Sequence, residues 1–147
     1  MMNLSKNVKI STAITPTAGV AGAAAINGST LDMSGFEGVL VIVRFGAITS
    51  GAVTSIKMQQ GAESNLSDAA DLLGTGQTVA DDDDDETFYI DLYRPVERYV
   101  RIVVSRATQN AVVASAEYVQ YGAAKAPTSH GAGVSGETHV GVAEGTA

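Results

Sequence analysis

The stretch Val39-Leu40-Val41-Ile42-Val43-Arg44-Phe45 decides the fold of this chain. Four of its seven residues are β-branched, and Gly38 and Gly46 bound it. Branched side chains fit the pleated surface of a sheet, and an apolar run of this length between glycines is typical of a strand covered on both faces. The sequence therefore predicts a central core strand at this position.

Four segments around this run alternate on their two faces, with the period of two that indicates half-buried strands: residues 8–14, 51–60, 88–93 and 99–105. Residues 29–33 and 111–121 supply two further segments. Residues 67–74 are predicted to form one or two helical turns, with Ser67 as the cap and Gly74 as the terminator. About seven strands joined by turns predict an all-β fold, a jelly-roll or Greek-key β-sandwich with extended N- and C-terminal arms.

The chain divides into a body and a tail. Residues 1–121 are predicted to form the β-sandwich with a short N-terminal arm, and residues 122–147 a C-terminal arm rich in Gly, Ala, Ser and Thr. The sizeable aliphatic residues of that arm are Val134, Val140 and Val142, too few to offset an ordering cost of about 1–2 kcal/mol per residue. We expect the arm to stay in solvent until it lies on a partner.

Composition narrows the classes of function. The 147 residues are 45% hydrophobic, which suffices for the core of one domain, and they include no cysteine. Disulfides, thiolate catalysis and cysteine zinc sites are therefore excluded. The sequence has neither an apolar run of about 20 residues nor an N-terminal apolar stretch, so we expect a soluble protein without membrane contact, made in a cytoplasm.

Charge is concentrated in one run. The net charge is −7, and residues 81–85, all aspartate, with Glu86 supply six of the sixteen acids. The rest of the chain is nearly neutral and lacks the basic face of a nucleic-acid binder, so no direct contact with nucleic acid is expected. The run resembles the start of an EF-hand loop but has Glu86 where glycine is required. A mobile, solvated loop is the favoured interpretation, and weak divalent-ion binding is the alternative.

Catalytic residues are not evident in the predicted body. Both histidines, His130 and His139, lie in the tail, where no partner holds an imidazole in place. Asp91, Glu97 and Glu117 fall on strands, where single acids usually face solvent or a neighbouring arginine. We expect no enzyme activity, no cofactor and no metal.

Tyrosine and arginine residues form the richest candidate binding set. Tyr89 and Tyr93 share one face of a predicted strand, as do Tyr99 and Arg101 of the next. Because tyrosine and arginine are favoured at protein interfaces, this set predicts an interface; packing at a sheet edge and sugar binding remain alternatives. The interface candidates are Tyr89, Tyr93, Arg94, Arg98, Tyr99, Arg101, His130 and His139.

Several segments resemble a known group of proteins. Ala25-Ile26-Asn27-Gly28-Ser29-Thr30-Leu31-Asp32-Met33, then Gly35-Phe36-Glu37-Gly38 before the valine-rich strand, is similar to segments of small structural proteins encoded beside the major capsid protein in tailed bacteriophages. The elements Asp71-Leu72-Leu73-Gly74 and Gly136-Glu137-Thr138-His139-Val140 fit the same pattern. The chain thus resembles the head decoration, or cement, proteins.

The resemblance implies a non-enzymatic virion protein on the outer capsid surface, which binds the major capsid protein across neighbouring subunits. Such proteins are commonly trimers, so a homotrimer is favoured and a dimer is the alternative. Some carry their capsid-binding arm at the N-terminus, whereas the longer arm of this chain is C-terminal. Two other functions stay open: a head-completion or tail-tube protein, and a carbohydrate-binding jelly-roll module, since Tyr99-Val100-Arg101-Ile102 is similar to a strand of discoidin-like domains.

Overall fold

Two antiparallel sheets pack face to face in the computed structural model of this chain, which describes residues 3–146. A single helical turn, α1 (Leu4–Asn7), precedes them. The strands, in chain order, are β1 (Lys9–Ile14), β2 (Ile26–Asn27), β3 (Leu31–Asp32), β4 (Gly38–Ile48), β5 (Val53–Gly61), β6 (Ala70–Asp71), β7 (Gln77–Val79), β8 (Thr87–Tyr93), β9 (Tyr99–Ala107) and β10 (Ala111–Tyr121). None of the helices in the described residues is long and apolar enough to cross a membrane.

The strand order is that of a jelly roll. The first sheet, sheet A, runs β1-β10-β4-β8. In the second, sheet B, β9 and β5 lie at the centre, with β2 and β3 beside β9 and β6 and β7 beside β5. Strands β2 and β3 can be counted as one interrupted strand, and β6 and β7 as another. Each sheet then has four strands, and their order is that of a jelly roll. The predicted all-β sandwich is confirmed.

The core lies between the two sheets. The side chains of Val39, Val41, Val43 and Phe45 point inward from β4 and are essentially inaccessible to solvent. Strand β4 pairs with β10 on one side and β8 on the other, so its central position in the sheet is confirmed.

The prediction that β4 is covered on both faces is wrong. Leu40 and Ile42 are half-buried and Arg44 is exposed, because these three side chains point away from sheet B. In a two-layer sandwich each sheet has one covered face, and the other meets solvent. The apolar residues of β4 therefore form a partly exposed surface on one face of the sheet as well as part of the core on the other.

The predicted helical turns at residues 67–74 do not form. The carboxylate of Asp68 accepts hydrogen bonds from the backbone N–H groups of Ala62 at 2.8 Å and Glu63 at 3.2 Å, and β6 pairs with β5. Aspartate side chains that bind nearby backbone groups compete with helix formation. These bonds lower the pKa of Asp68, the bond from Ala62 most of all.

The C-terminal arm lies along the outer edge of β1. Ile10 N donates to Nδ1 of His130 at 3.1 Å, and Gly131 N donates to Ile10 O at 2.8 Å. Thr128 N donates to Lys6 O at 2.9 Å. The prediction that the arm stays free until it meets a partner is therefore wrong for this part of it. The first two residues and Ala147, which the predicted arms include, lie outside the described residues.

A buried arginine fastens the Gly/Ala-rich segment between β1 and β2. The guanidinium of Arg106 donates to Ala24 O at 2.7 Å, to Val20 O at 2.8 Å and to Ala111 O at 2.7 Å. The residue is 9% exposed, and burial lowers its pKa. Gly19 lies against β10, where a Cβ would come within 1.8 Å of the carbonyl oxygen of Val113.

The acidic run binds the backbone near the β4–β5 turn. Asp84 Oδ1 accepts from Ile48 N at 2.6 Å, and Asp81 Oδ2 accepts from Gly51 N, also at 2.6 Å. The interpretation of a loop held mobile by its own repulsion is therefore wrong, although most of the run is exposed. Within residues 3–146, no group of three or more His, Cys, Asp or Glu side chains is arranged to hold a metal ion.

We expect Asp84→Ala to lower the free energy of unfolding by about 1 kcal/mol, because the Ile48 N–H loses a charged acceptor. Urea unfolding measures this change. Asp82→Ala, an exposed neighbour in the same run, serves as the control and should change stability by less than about 0.5 kcal/mol. Equal effects of the two substitutions would show that net charge, and not the bond to Ile48, is what matters.

Candidate functional site

The outer face of sheet A carries aromatic and aliphatic side chains that solvent can reach. We call it the tyrosine–aliphatic face. Its members are Leu40, Ile42, Tyr89, Tyr93, Val119 and Tyr121. The strand register puts them side by side: Leu40 of β4 lies opposite Val119 of β10, and Ile42 lies opposite Tyr89 of β8.

Tyr121 crosses the sheet and fixes one end of this face. Its ring lies over Gly38, where an added Cβ would come within 2.3 Å of the ring. Glycine at position 38 is therefore required for the ring to lie flat on β4. The hydroxyl of Tyr121 donates to Asp91 Oδ1 of β8 at 2.5 Å, and burial together with this carboxylate raises the pKa of Tyr121 to about 12.

The other two tyrosines of the face are available to a partner. Tyr89 is 65% exposed and Tyr93 is 56% exposed. The guanidinium of Arg94 lies 5.1 Å from the centre of the Tyr93 ring and 3.2 Å from a carboxylate oxygen of Glu37. These contacts orient Arg94, and the hydrogen bond that it donates to Glu37 raises the pKa of Arg94. Large aromatic area with few rotatable bonds is what protein interfaces favour.

The outer face of sheet B is polar by comparison. Arg101 Nε donates to Gln59 Oε1 at 2.8 Å, and Lys57 binds Asp71 at 2.6 Å. Tyr99 lies on the same face, where it is half-buried. The two outer faces of the sandwich therefore differ in chemistry, and Tyr99 and Arg101 lie on the opposite side of the molecule from Tyr89 and Tyr93.

Arg98 belongs to the sheet B side. Its guanidinium makes two bonds to the carboxylate of Asp32, at 2.9 and 2.8 Å, and lies 5.2 Å from the centre of the Tyr99 ring. The bond from Arg98 lowers the pKa of Asp32. The two bonds from its guanidinium to Asp32 link the ends of β3 and β9.

The two histidines are separated from the tyrosines. His130 uses Nδ1 to accept the Ile10 N–H, so its role in this structure is to hold the arm on β1. His139 is exposed, with Nε2 3.4 Å from a carboxylate oxygen of Glu137. The eight predicted interface residues thus fall into three groups: one by sheet A, one by sheet B and one on the arm.

An open cleft of about 480 Å³ lies between the loop before β4 and the loop between β8 and β9. Its walls include Phe36, Glu37, Arg94, Val96 and Arg98. The arginines on its rim face Glu37 and Asp32, so their charges are largely matched inside the protein. The cleft is a shallow surface feature, and its polar groups do not converge on one point as they do in a small-molecule site.

Sequence reasoning missed the aliphatic half of the face. The sequence predicts that Leu40 and Ile42 lie on a strand covered on both sides, and it does not single out Val119. The alternation of residues in β10 and the tyrosines at 89 and 93 were the available signals, because a polar-aromatic strand next to an apolar one indicates a sheet with one solvated face.

Comparisons with known proteins identify no family. No family model matches the chain, and no curated protein matches it. Among solved structures, the crystal structure of PirA is similar at a TM-score of 0.37 and 16% sequence identity, over 78% of this chain and 93% of that chain.

Proposed function

We propose that this protein is a non-enzymatic structural protein of a tailed-phage virion, which decorates and stabilises the capsid from its outer surface. It binds the major capsid protein across neighbouring subunits. The observation that carries the proposal is the tyrosine–aliphatic face, a group of exposed tyrosines and half-buried aliphatic side chains on one side of a jelly-roll sandwich. The sequence resemblance to decoration proteins supplies the partner.

The contrast between the two outer faces supports docking through sheet A. Leu40, Ile42 and Val119 at the centre of the face are only half-buried in the isolated chain, and contact with a partner would remove their apolar surface from water. Protein interfaces are enriched in tyrosine, as this face is, and the register also places Asp91 and Glu117 on it, beside Leu40 and Ile42. The polar face of sheet B is then directed to solvent.

A decoration protein binds tightly because many copies bind the same particle. Copies that self-associate and bind several capsid subunits raise one another's effective concentration, so modest contacts yield tight binding. Such a mechanism needs a rigid body with a defined docking face. The sandwich supplies the rigidity, and the arm that lies on β1 leaves the tyrosine–aliphatic face uncovered at its centre.

Leu40→Lys should weaken binding to expanded capsids at least about tenfold, because it replaces an apolar side chain at the centre of the docking face with a charged one that must lose water on docking. Co-sedimentation of purified protein with capsids measures the change. Ser105→Lys adds the same charge to the polar face of sheet B and is the matched control, expected to bind as the unsubstituted protein does. Unchanged binding of Leu40→Lys, with loss in Ser105→Lys, would contradict docking through sheet A.

A carbohydrate-binding module is the second candidate. Tyr99 and Arg101 do share the outer face of sheet B, as a tyrosine platform for a sugar ring would require. Binding on a glycan array that is abolished by Tyr99→Ala would favour this function over capsid decoration. Electron microscopy of particles distinguishes a decoration protein from a head-completion or tail-tube protein, since the first follows the capsid lattice and the others occupy the portal vertex or the tail.

A further inference from the structure

The sandwich has four sheet edges, and three of them are protected. Sheet B ends in β2 and β3 on one side and in β6 and β7 on the other, which are strands of two or three residues. In sheet A the arm covers the edge of β1. Short strands and covering segments are the usual ways to prevent edge pairing. In the described part of the chain, β8 is the remaining edge, seven residues long.

The hydrogen-bonding pattern shows which groups of β8 face outward. Phe45 N donates to Glu86 O at 2.9 Å and Arg94 N donates to Glu37 O at 2.8 Å, so the even-numbered residues of this segment bond to the β4 side. In an antiparallel pair the bonding direction alternates along the strand. Thr87, Tyr89, Asp91 and Tyr93 therefore direct their N–H and C=O groups away from the sheet. The side chain of Gln77 reaches one of them, donating to Tyr89 O at 2.9 Å.

Charged residues flank this edge. Glu86 and the aspartates precede β8, and Arg94 follows it, with an exposed side chain that lies 3.2 Å from Glu37 of its own chain. In an antiparallel pair of copies, the acidic start of β8 in one copy meets the exposed Arg94 of the other. We infer that two copies of this chain pair through β8 as antiparallel strands, with Ile90 on the two-fold axis.

The register follows from the strand itself. With Ile90 on the axis, all seven residues of β8 are paired and the outward-facing residues lie opposite one another. Glu86 of each copy then lies near Arg94 of the other, just beyond the strand, where the φ of 51° turns Arg94 out of the extended conformation. Moving the axis to Asp91 would place two aspartates face to face. Moving it to Tyr89 would use Asp85, whose φ of 60° takes it out of the strand conformation.

The pairing also matches side chains on both faces of the sheet. Phe88 of one copy meets Leu92 of the other on the inner face, and both are half-buried in the isolated chain. On the outer face Tyr89 meets Asp91, and the two tyrosine–aliphatic faces join into one surface on an eight-stranded sheet. The pairing rests on the β8 edge alone and does not depend on the capsid proposal.

A charge exchange in the full-length protein tests this pairing. Glu86→Arg puts two arginines together at each end of the strand pair. Arg94→Glu puts two acids together and also removes the pair that Arg94 forms with Glu37 of its own chain, so the double substitution is the deciding measurement. Each should raise the dimer dissociation constant at least about tenfold in sedimentation equilibrium at low salt, and the double substitution Glu86→Arg/Arg94→Glu should return it to within about threefold of the original. Tyr89→Pro removes an outward N–H while the even-numbered bonds to β4 remain, and it should give a monomer.

Matched controls separate pairing from net charge. Glu63→Arg and Lys125→Glu change the charge of exposed residues by the same amounts and should leave the dissociation constant unchanged. Circular dichroism checks that every variant is folded. A monomer at all concentrations, a trimer, or a dimer that ignores all of the β8 substitutions would overturn the inference, as would single substitutions that weaken the dimer without rescue in the double.

Discussion

Val41→Asp is expected to abolish folding of this protein at ordinary temperature. Val41 is 0% exposed on the inner face of β4, with β8 and β10 on either side and sheet B across the core. A carboxylate there would have neither water nor a cation to stabilise it, at a cost of several kcal/mol. Total stabilities are about 5–15 kcal/mol, so the loss takes most or all of the margin. Soluble expression and cooperative thermal unfolding measure it.

Ile42→Asp is the matched control, because it places the same carboxylate one residue further on the same strand. Ile42 points to the tyrosine–aliphatic face and is half-buried, so its carboxylate would keep contact with water. We expect a folded protein that is about 1–2 kcal/mol less stable. If both substitutions prevent folding equally, β4 is covered on both faces, as its sequence alone suggests.

The behaviour of β4 shows what a single sequence can predict. Alternation in β1 and β8 identified those strands because a half-buried strand has a polar face that marks its period. In β4 both faces are apolar, and periodicity cannot distinguish a second covering layer from an exposed docking surface. That distinction depends on the number of layers in the fold. The number of layers is decided by pairing between strands that lie more than 50 residues apart in the sequence, such as β4 and β10.

The sequence predicts which residue types form the candidate site but not which of these residues lie together in the structure. Tyr89 and Tyr93 were placed on one face correctly, since a strand alternates faces regardless of topology. Their separation from Tyr99 and Arg101 arises because β8 belongs to sheet A and β9 to sheet B. Tyrosine and arginine occur at both of these consecutive strands, so the residue types give no local signal that the chain changes sheets between them.

The arm illustrates a different limit. Residues 122–147 have too little apolar surface to form a core. They need none to lie on β1, because β1 is an edge strand whose free backbone groups an adjacent segment can satisfy without apolar side chains. Gly131 and His130 do so through a backbone N–H and an imidazole nitrogen. Because one edge of sheet A is occupied in this way, the opposite edge at β8 becomes the place where a second chain can add.

Arg106→Met is expected to destabilise the protein by about 3 kcal/mol. The methionine has a similar length and apolar volume, but it leaves the carbonyl oxygens of Val20, Ala24 and Ala111 without their charged donor. Each buried acceptor that loses its partner costs about 1–3 kcal/mol, and partial access of water limits the sum. The segment before β2 should detach, so the amide of Ala111, which donates to Gly22 O at 3.0 Å, should exchange with deuterium much faster.

Two further substitutions on β9 isolate the geometric origin of this effect. Arg106→Lys keeps the positive charge but carries its three donors on one nitrogen in place of a planar fork, so it cannot reach all three carbonyls at once and should lose about half as much stability. Arg101→Met, on the outer face of the same strand, loses one bond to Gln59 and should cost less than about 1 kcal/mol. Denaturant unfolding of the three proteins gives the comparison. If lysine restores full stability, the charge alone holds the segment; if Arg106→Met costs no more than Arg101→Met, the carbonyls find water, and the segment is fastened by its glycine contacts with β10 instead.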